Sequence, residues 1–428
     1  MSNPLQKEYE TQESSSAQHR VQQGNLENVR PVPRITVQAF CETEIIAQTI
    51  DMTGKDRRMS RTQLKVLMGG VPSAVDYYGS APTPNLIIIE SKLAGPDLLG
   101  NLSRLAEVCD SDTKVIVIGH HNDIAIYREM IASGISDYLV APLSMADLMN
   151  SITKIFVDPE TGPLGRMIAF IGAKGGVGSS TISHNVAWTI SNQYRNDVVL
   201  ADLDLAFGTA NINLDQDPPQ GIAEAIYSPD RVDDILLDRL LAKCAENLNL
   251  LAAPSTLDRT YDFTQDTFNN VLEVAQRSSP TVVIDLPHQW NAWTRHILTN
   301  ADEVVITAAP ELANLRNTKN LLDVLSGLRP NDVTPRLIMN QVGVPKRPEI
   351  SVADFVRPLD IQPAAIIPFE PALFGTASNN GQMVSEADAK SPVAAHFEFM
   401  AQILTGKAEL KVEKKSKLAI FSKFTKKK

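Results

Sequence analysis

The sequence predicts an α/β protein built as two doubly wound parallel-sheet domains. Three observations predict it. Short apolar runs of strand length, bounded by turn residues, alternate with amphipathic stretches of helix length. The alternation occurs twice, broken by DPETGPLG at 158–165, whose prolines, glycines and acids read as a linker. The second, longer series opens with a glycine-rich loop set between a strand and a helix. With 428 residues and 43% hydrophobic content, the chain has enough for two or three domain cores.

Residues 1–33 are rich in Gln, Ser, Glu and Asn and are predicted to be disordered. The first domain is predicted over 34–157. RITVQAF (34–40) reads as a strand, followed by a helical stretch near 43–53. LKVLMG (64–69), NLIIIES (85–91), KVIVIG (114–119) and DYLVAP (137–142) supply the other strands. LLGNLSRLAEVC (98–109), DIAIYREMIASG (123–134) and SMADLMNSITKIF (144–156) supply helices. The second domain is predicted over 166–406. Its strands are RMIAFIG (166–172), VVLADLD (198–204), NLNLLAAP (247–254), TVVIDLP (281–287), EVVITAAP (303–310), RLIMNQVG (336–343) and AAIIPF (364–369). ELANLRNTKNLLDVLSGL (311–328) and VAAHFEFMAQILTG (393–406) read as helices, Gly406 suiting a helix stop. The two halves share an architecture without a repeat.

GAKGGVGSST (172–181) carries the chemistry. A loop between a strand and a helix aims backbone N–H groups and the positive helix end at bound phosphate. Gly175, Gly176 and Gly178 let the backbone come close and adopt positive φ. Ser180 or Thr181 can offer a hydroxyl to Mg²⁺. The usual phosphate-loop pattern, G-x-x-x-x-G-K-[ST], asks for a lysine where Ser179 stands. Asp202 and Asp204 end one strand and Asp285 another, at the carboxyl edge of a parallel sheet, where ligands sit. Asp285 suits a carboxylate that holds the Mg²⁺ shell.

On these motifs, 166–406 resembles a ParA/MinD-type ATPase, a branch of the P-loop NTPases whose loop reads K-G-G-x-G-K-[ST]. Lys174, Gly175, Gly176, Val177 and Gly178 match that pattern, while the second lysine of the family is Ser179 here. The resemblance implies that Lys174 reaches across a dimer interface to the partner's phosphates. It implies that Asp204 positions the attacking water, with Asp202 beside it, and that Asp285 is the Walker B acid. Asn340 and Pro368 fall where the family contacts adenine. Lys174 and Asp204 are therefore the catalytic candidates, and ATP and Mg²⁺ the cofactors. Losing the lysine in cis removes charge that neutralises the β- and γ-phosphates, so slow hydrolysis or none is expected.

Residues 34–157 resemble a response-regulator receiver, a flavodoxin-type fold, best at GISDYLVAPLS (134–144). The phosphotransfer positions are altered. AFCET (39–43) replaces the acidic pair, Glu90 the acceptor aspartate, Gly119 the hydroxyl residue and Ala141 the lysine. Glu90 reads either as a mimic of a phosphorylated aspartate or as a residual acid on an interaction module. The order of these two domains, with KGGVGS and DLDLAFGTANINLDQDPPQGIAEAI (202–226), is similar to the CpaE/TadZ family of pilus assembly proteins. That resemblance implies a cytoplasmic, ATP-binding, dimerising protein that localises Flp (tight adherence) pilus secretion machinery, often at a cell pole. Two alternatives stay open: an active ParA/MinD-type switch that positions other cargo such as DNA, and a phosphorylation-independent response regulator.

The net charge is −10, so bulk composition does not point to nucleic acid. The segment 407–428 reads as a basic tail. Residues 411–428 hold eight Lys and one Glu, a charge of +7, which leaves −17 on the rest. Leu418, Ile420, Phe421 and Phe424 among these lysines suit a peripheral contact with anionic lipid. The alternatives are a solubilising tail or nonspecific nucleic-acid contact. Cys41, Cys109 and Cys244 share no ligand spacing and read as reduced thiols. The polar N-terminus carries no leader-like segment, and no apolar run of about 18 residues is present.

Overall fold

The computed structural model describes residues 26, 29, 31–156, 164–257 and 260–407. The tail residues Leu418, Ile420, Phe421 and Phe424, and most of 1–33 and of the linker, lie outside the described residues. Two compact units are present: 1–164 with 326–333, and 165–325 with 334–428.

The first unit runs β1 (Thr36–Cys41), α1 (Glu44–Gly54), β2 (Gln63–Met68), α2 (Gly70–Tyr78), β3 (Leu86–Ser91), α3 (Gly95–Val108), β4 (Lys114–Gly119), α4 (Ile124–Ala132), β5 (Asp137–Val140) and α5 (Met145–Phe156). The sheet is fully parallel in the order β2-β1-β3-β4-β5. That is the doubly wound flavodoxin-type order. The period-2 alternation of the apolar runs feeds two cores. Leu86 and Ile88 of β3 pack with Ile46, Ile50, Leu148 and Ile152 on one face. Ile87 and Ile89 pack with Val71, Leu98, Leu102 and Met130 on the other. Burial of each such side chain contributes about 1.5–3 kcal/mol. A strand covered on both faces must be apolar throughout, which is why LIII reads as it does.

Within the segment expected to be disordered, the described residues Leu26, Val29 and Val32 are buried in the first core. Val32 N donates to Arg58 O at 2.8 Å. These three apolar residues recur at a spacing of three within a polar stretch, so their face is hidden by the average composition. Residues 326–333, read from sequence as part of the second domain, cluster with the first unit. Asp332 there is buried and accepts from Arg57, Arg58 and Arg329.

The second unit runs β6 (Arg166–Gly172), α6 (Ser179–Tyr194), β7 (Val198–Asp202), α7 (Ala210–Asn213), α8 (Ile222–Tyr227), α9 (Asp234–Leu240), β8 (Ala242–Ala245), β9 (Leu248–Leu251), α10 (Asn269–Ser278), β10 (Thr281–Asp285), α11 (Ala292–Asn300), β11 (Glu303–Ala308), α12 (Leu312–Leu328), β12 (Arg336–Val342), α13 (Val352–Val356), β13 (Pro363–Pro368), α14 (Pro371–Asn379), α15 (Val384–Ala387) and α16 (Pro392–Leu404). Its sheet has the order β13-β12-β11-β6-β10-β7-β9-β8. All pairs are parallel except the edge pair β8–β9, which is antiparallel. Met167, Ala169 and Ile171 of the central strand β6 enter one core, and Ile168 and Phe170 the other. The fold class read from sequence therefore holds, with one antiparallel edge strand added. Among the described residues, no helix is long and apolar enough to cross a membrane.

Candidate nucleotide-binding site

The glycine loop joins β6, in the middle of the sheet, to α6. Gly176 and Gly178 adopt φ of 78° and 85°, a region that an L side chain occupies at a cost. Side chains from other elements hold the loop by its carbonyls. Asn340 Nδ2 donates to Val177 O at 2.8 Å, Gln341 Nε2 to Gly176 O at 2.9 Å and Asn317 Nδ2 to Ala173 O at 2.8 Å. His288 Nδ1 lies 2.8 Å from Gly172 O and is thereby the protonated ring nitrogen. With these carbonyls committed, amide donors are what the loop offers an anion. A Cβ on Gly178 would stand 2.6 Å from Asn340 Nδ2, so only glycine fits there.

Ser179 begins α6 and is buried, and its Oγ has no hydrogen-bond partner among the described residues. An orphaned buried hydroxyl directly after the glycine loop fits a polar ligand and not a finished apolar core. Ser180 and Thr181 are half-buried in the first turn of α6. Lys174, half-exposed, pairs with Glu311 at 3.0 Å. The hydrogen bond from Lys174 holds the Glu311 carboxyl below its ordinary range.

At the carboxyl edge Asp202 and Asp285 are register partners on adjacent strands, β7 and β10. Both are buried. Asp202 accepts from Asp204 N and Ala210 N, each at 3.1 Å. Burial and the neighbouring Asp285 push the Asp202 carboxyl upward. Asp204 is half-buried, accepts from Phe207 N at 3.1 Å, and is raised by burial. Close to the pair lies a residue that the sequence reading missed. His184 of α6 is fully buried, with Nε2 3.3 Å from Asp285 Oδ2. Its signal was a polar run, SSTISHN, directly after the glycine loop, in a helix that turns out to be largely buried. Gln341, Asn317 and His288 were missed as well, because their roles arise only when separate strands and helices meet the loop. Pro368 ends β13 and is half-buried.

In the first unit Glu90 ends up deep inside. Its carboxylate accepts from Glu42 N and Thr43 N at 2.8 Å and from Thr43 Oγ1 at 2.6 Å, with His120 Nε2 at 3.0 Å. A Cβ on Gly119 would gain a chain neighbour only by colliding with Tyr138 Oη at 1.9 Å. The receiver-like edge is thus closed by its own side chains.

Residues 165–337 match a family model described as an AAA domain. Septum site-determining protein MinD of Synechocystis sp. is 26% identical over 253 residues, 57% of this chain and 90% of MinD. A ParA family ATPase from Chlorobium tepidum TLS, 23% identical, aligns over 55% of this chain and 98% of its own with a TM-score of 0.51, a likeness of fold. The solved structure of a pilus assembly protein CpaE from Caulobacter crescentus CB15 is 43% identical over 30% of this chain and 98% of its own length, with a TM-score of 0.30. The identity extends over nearly the whole of that CpaE chain. On that identity, and with a ParA/MinD-type P-loop fold in its second unit, the chain belongs to the CpaE family of pilus assembly proteins.

Proposed function

We propose that this chain is an ATP-binding, dimerising localisation and assembly factor for a Flp-type pilus secretion system, with weak or no ATP hydrolysis. One observation carries the reading: the loop lysine is engaged by an acid while the serine after the loop has no partner among the described residues. Lys174 is half-exposed and held by Glu311, while the position that would carry charge in cis is the buried, unpartnered Ser179. The pocket can bind phosphate through loop amides and offer Ser180 and Asp285 to Mg²⁺. It has no lysine of its own to stabilise charge that develops on the γ-phosphate. Lys174 of a second copy supplies that charge in this reading, so nucleotide engagement and dimerisation are linked.

The residues divide the work as follows. Asn340, Gln341, Asn317 and His288 hold the loop open for the phosphates. Asn340 keeps its Oδ1 for a base, and Pro368 lies on a neighbouring strand end. Asp285 and Ser180 hold the metal shell, and Mg²⁺ bound there supplies charge to the phosphates. Asp204, half-buried, is the group placed to orient water. Support for the pilus role comes from the CpaE relative, and support for a nucleotide-dependent dimer from the ParA/MinD-type loop. The receiver-like unit, sealed around Glu90, serves as a partner-binding or targeting module in a cytoplasmic protein, at a pole.

The test is paired. ATP affinity and dimerisation are measured by titration and light scattering, and phosphate release at several protein concentrations, in wild type and Lys174→Ala. The expected result is Mg-ATP binding in both, ATP-driven dimerisation in wild type alone, and turnover near background. Brisk turnover that rises with protein concentration would make the chain a working ParA/MinD switch. Absence of ATP binding would end the nucleotide reading.

A further inference from the structure

His184, Asp202 and Asp285 each present one ligand atom, and these atoms lie within 4.8 Å of one another in a fully buried cluster. Two of the atoms are unsatisfied. His184 Nε2 and Asp285 Oδ1 have no hydrogen-bond partner among the described residues, although Nε2 lies only 3.3 Å from Asp285 Oδ2. Burying two carboxylates and an imidazole together without completing their bonds is costly. A cation at the centre removes that cost. We propose that these three side chains form a site for a divalent transition metal, which loads without nucleotide.

The geometry suits such an ion. Oxygen and imidazole ligands hold Zn²⁺ at about 2.0–2.2 Å, which puts the ligand atoms roughly 3–4 Å apart. The 3.3 Å separation of Nε2 and Oδ2 already lies in that range. An imidazole ligand selects for Zn²⁺ over Mg²⁺, which prefers oxygen and water; Mn²⁺, bound more weakly, serves as a spectroscopic probe of the same ligands. Asn213 supplies the outer support. Its amide lies 3.0 Å from His184 Nδ1. Turning that amide presents Oδ1 to the ring, so the ring proton resides on Nδ1 and the Nε2 lone pair is free to bond the ion. Ser378 Oγ, 3.3 Å from the same amide, can donate or accept and serves either orientation. The site shares Asp285 with the magnesium role proposed above but needs no nucleotide, since a chain that never bound ATP would still carry it.

The full chain, stripped with chelator and free of nucleotide, is titrated with Zn²⁺ and with Mn²⁺ by calorimetry, and retained metal is counted after gel filtration. The expected result is one ion per chain, lost in His184→Ala and weakened about 10–100-fold in Asn213→Ala. Pulsed EPR of Mn²⁺ in the wild type is expected to show coupling to an imidazole nitrogen, a readout that needs no variant to fold. Three outcomes overturn the site: no ion retained, no nitrogen coupling, or full retention by folded His184→Ala. The last would place the metal elsewhere, the thiols Cys109 and Cys244 included. ATP titration of the same sample separates the two readings: ATP bound with no metal retained sinks this site and leaves the nucleotide function standing.

Discussion

At the scale of single residues, the two units use buried polar groups for opposite ends. Glu90 is a carboxylate with every neighbour in place: two backbone N–H groups share Oε2, and Thr43 Oγ1 and His120 meet Oε1. It ties the β1–α1 turn to the end of β3. Glu90→Gln must turn an NH₂ group toward one of these donor sets, leaving at least one buried donor unpaired. We expect a loss of about 1–3 kcal/mol in chemical denaturation, and little change in ATP affinity, because the cluster belongs to the first unit. An unchanged denaturation midpoint would mean that Glu90 does not hold the turn. Gly178 shows the opposite case, where the arrangement is poised for a ligand. Gly178→Ala places a side chain at φ 85° and pushes a Cβ to 2.6 Å from Asn340 Nδ2. The left-handed backbone alone costs roughly 1–2 kcal/mol. Displacing Asn340 releases Val177 O, so ATP affinity should fall more than thermal stability does, as parallel titration and melting would reveal.

At the scale of elements, segment 326–333 is anchored by one acid. Burial would raise the Asp332 carboxyl, but Arg57, Arg58 and Arg329 together hold it below its ordinary range. A depressed carboxyl contributes stability that is fully present above its unfolded value, about 3.9, and is lost as pH falls through the folded value. Wild type should therefore lose stability on acidification in the window below about pH 4, and Asp332→Asn should show a flatter acid limb. At neutral pH Asp332→Asn should cost about 3–5 kcal/mol, since it leaves buried arginines without their counter-ion. Equal acid limbs in urea titrations of the two proteins would contradict this. None of this anchor was legible in the sequence: Arg57 and Asp332 are far apart in the chain, and nothing local links them. What was legible had a local cause. β3, β6, β10 and β11 are covered on both faces, so each reads as an apolar run. GVPSAVDYY, the helix α2, has Gly and Pro within its first three residues, which masks the helical pattern in the sequence. AKCA, the edge strand β8, is short and only partly covered, so it lacks the alternation that marks a strand. The site divides in the same way. The glycine loop, Asp202 and Asp285 sit at strand ends where topology alone places ligands, whereas His184 and the residues that pin the loop depend on contacts between distant elements.

At the scale of the whole molecule, charge is the dominant asymmetry. Residues 411–428 carry +7 against −17 for the remainder. An anionic bilayer attracts the charge of the tail and repels the net charge of the body, so electrostatics favours contact through the tail. Lysines near an anionic surface contribute about 1 kcal/mol each, and the attraction decays within a Debye length of about 10 Å at 0.1 M salt. Leu418, Phe421 and Phe424 add apolar area that salt does not screen. We therefore expect the full chain to co-sediment with phosphatidylserine-containing vesicles at low salt, and most of that binding to be lost at high salt. Removing 411–428 should abolish it, with ATP affinity unchanged. If ATP joins two copies, two tails act on one surface, and ATP should tighten vesicle binding beyond what either tail achieves alone. Lys174→Ala should keep the basal binding and lose that increment. Binding that survives removal of the tail would place the membrane contact elsewhere. Binding to neutral vesicles as strong as to anionic ones would show that the lysines are not its source. An ATP increment retained in Lys174→Ala would uncouple the tail from the dimer.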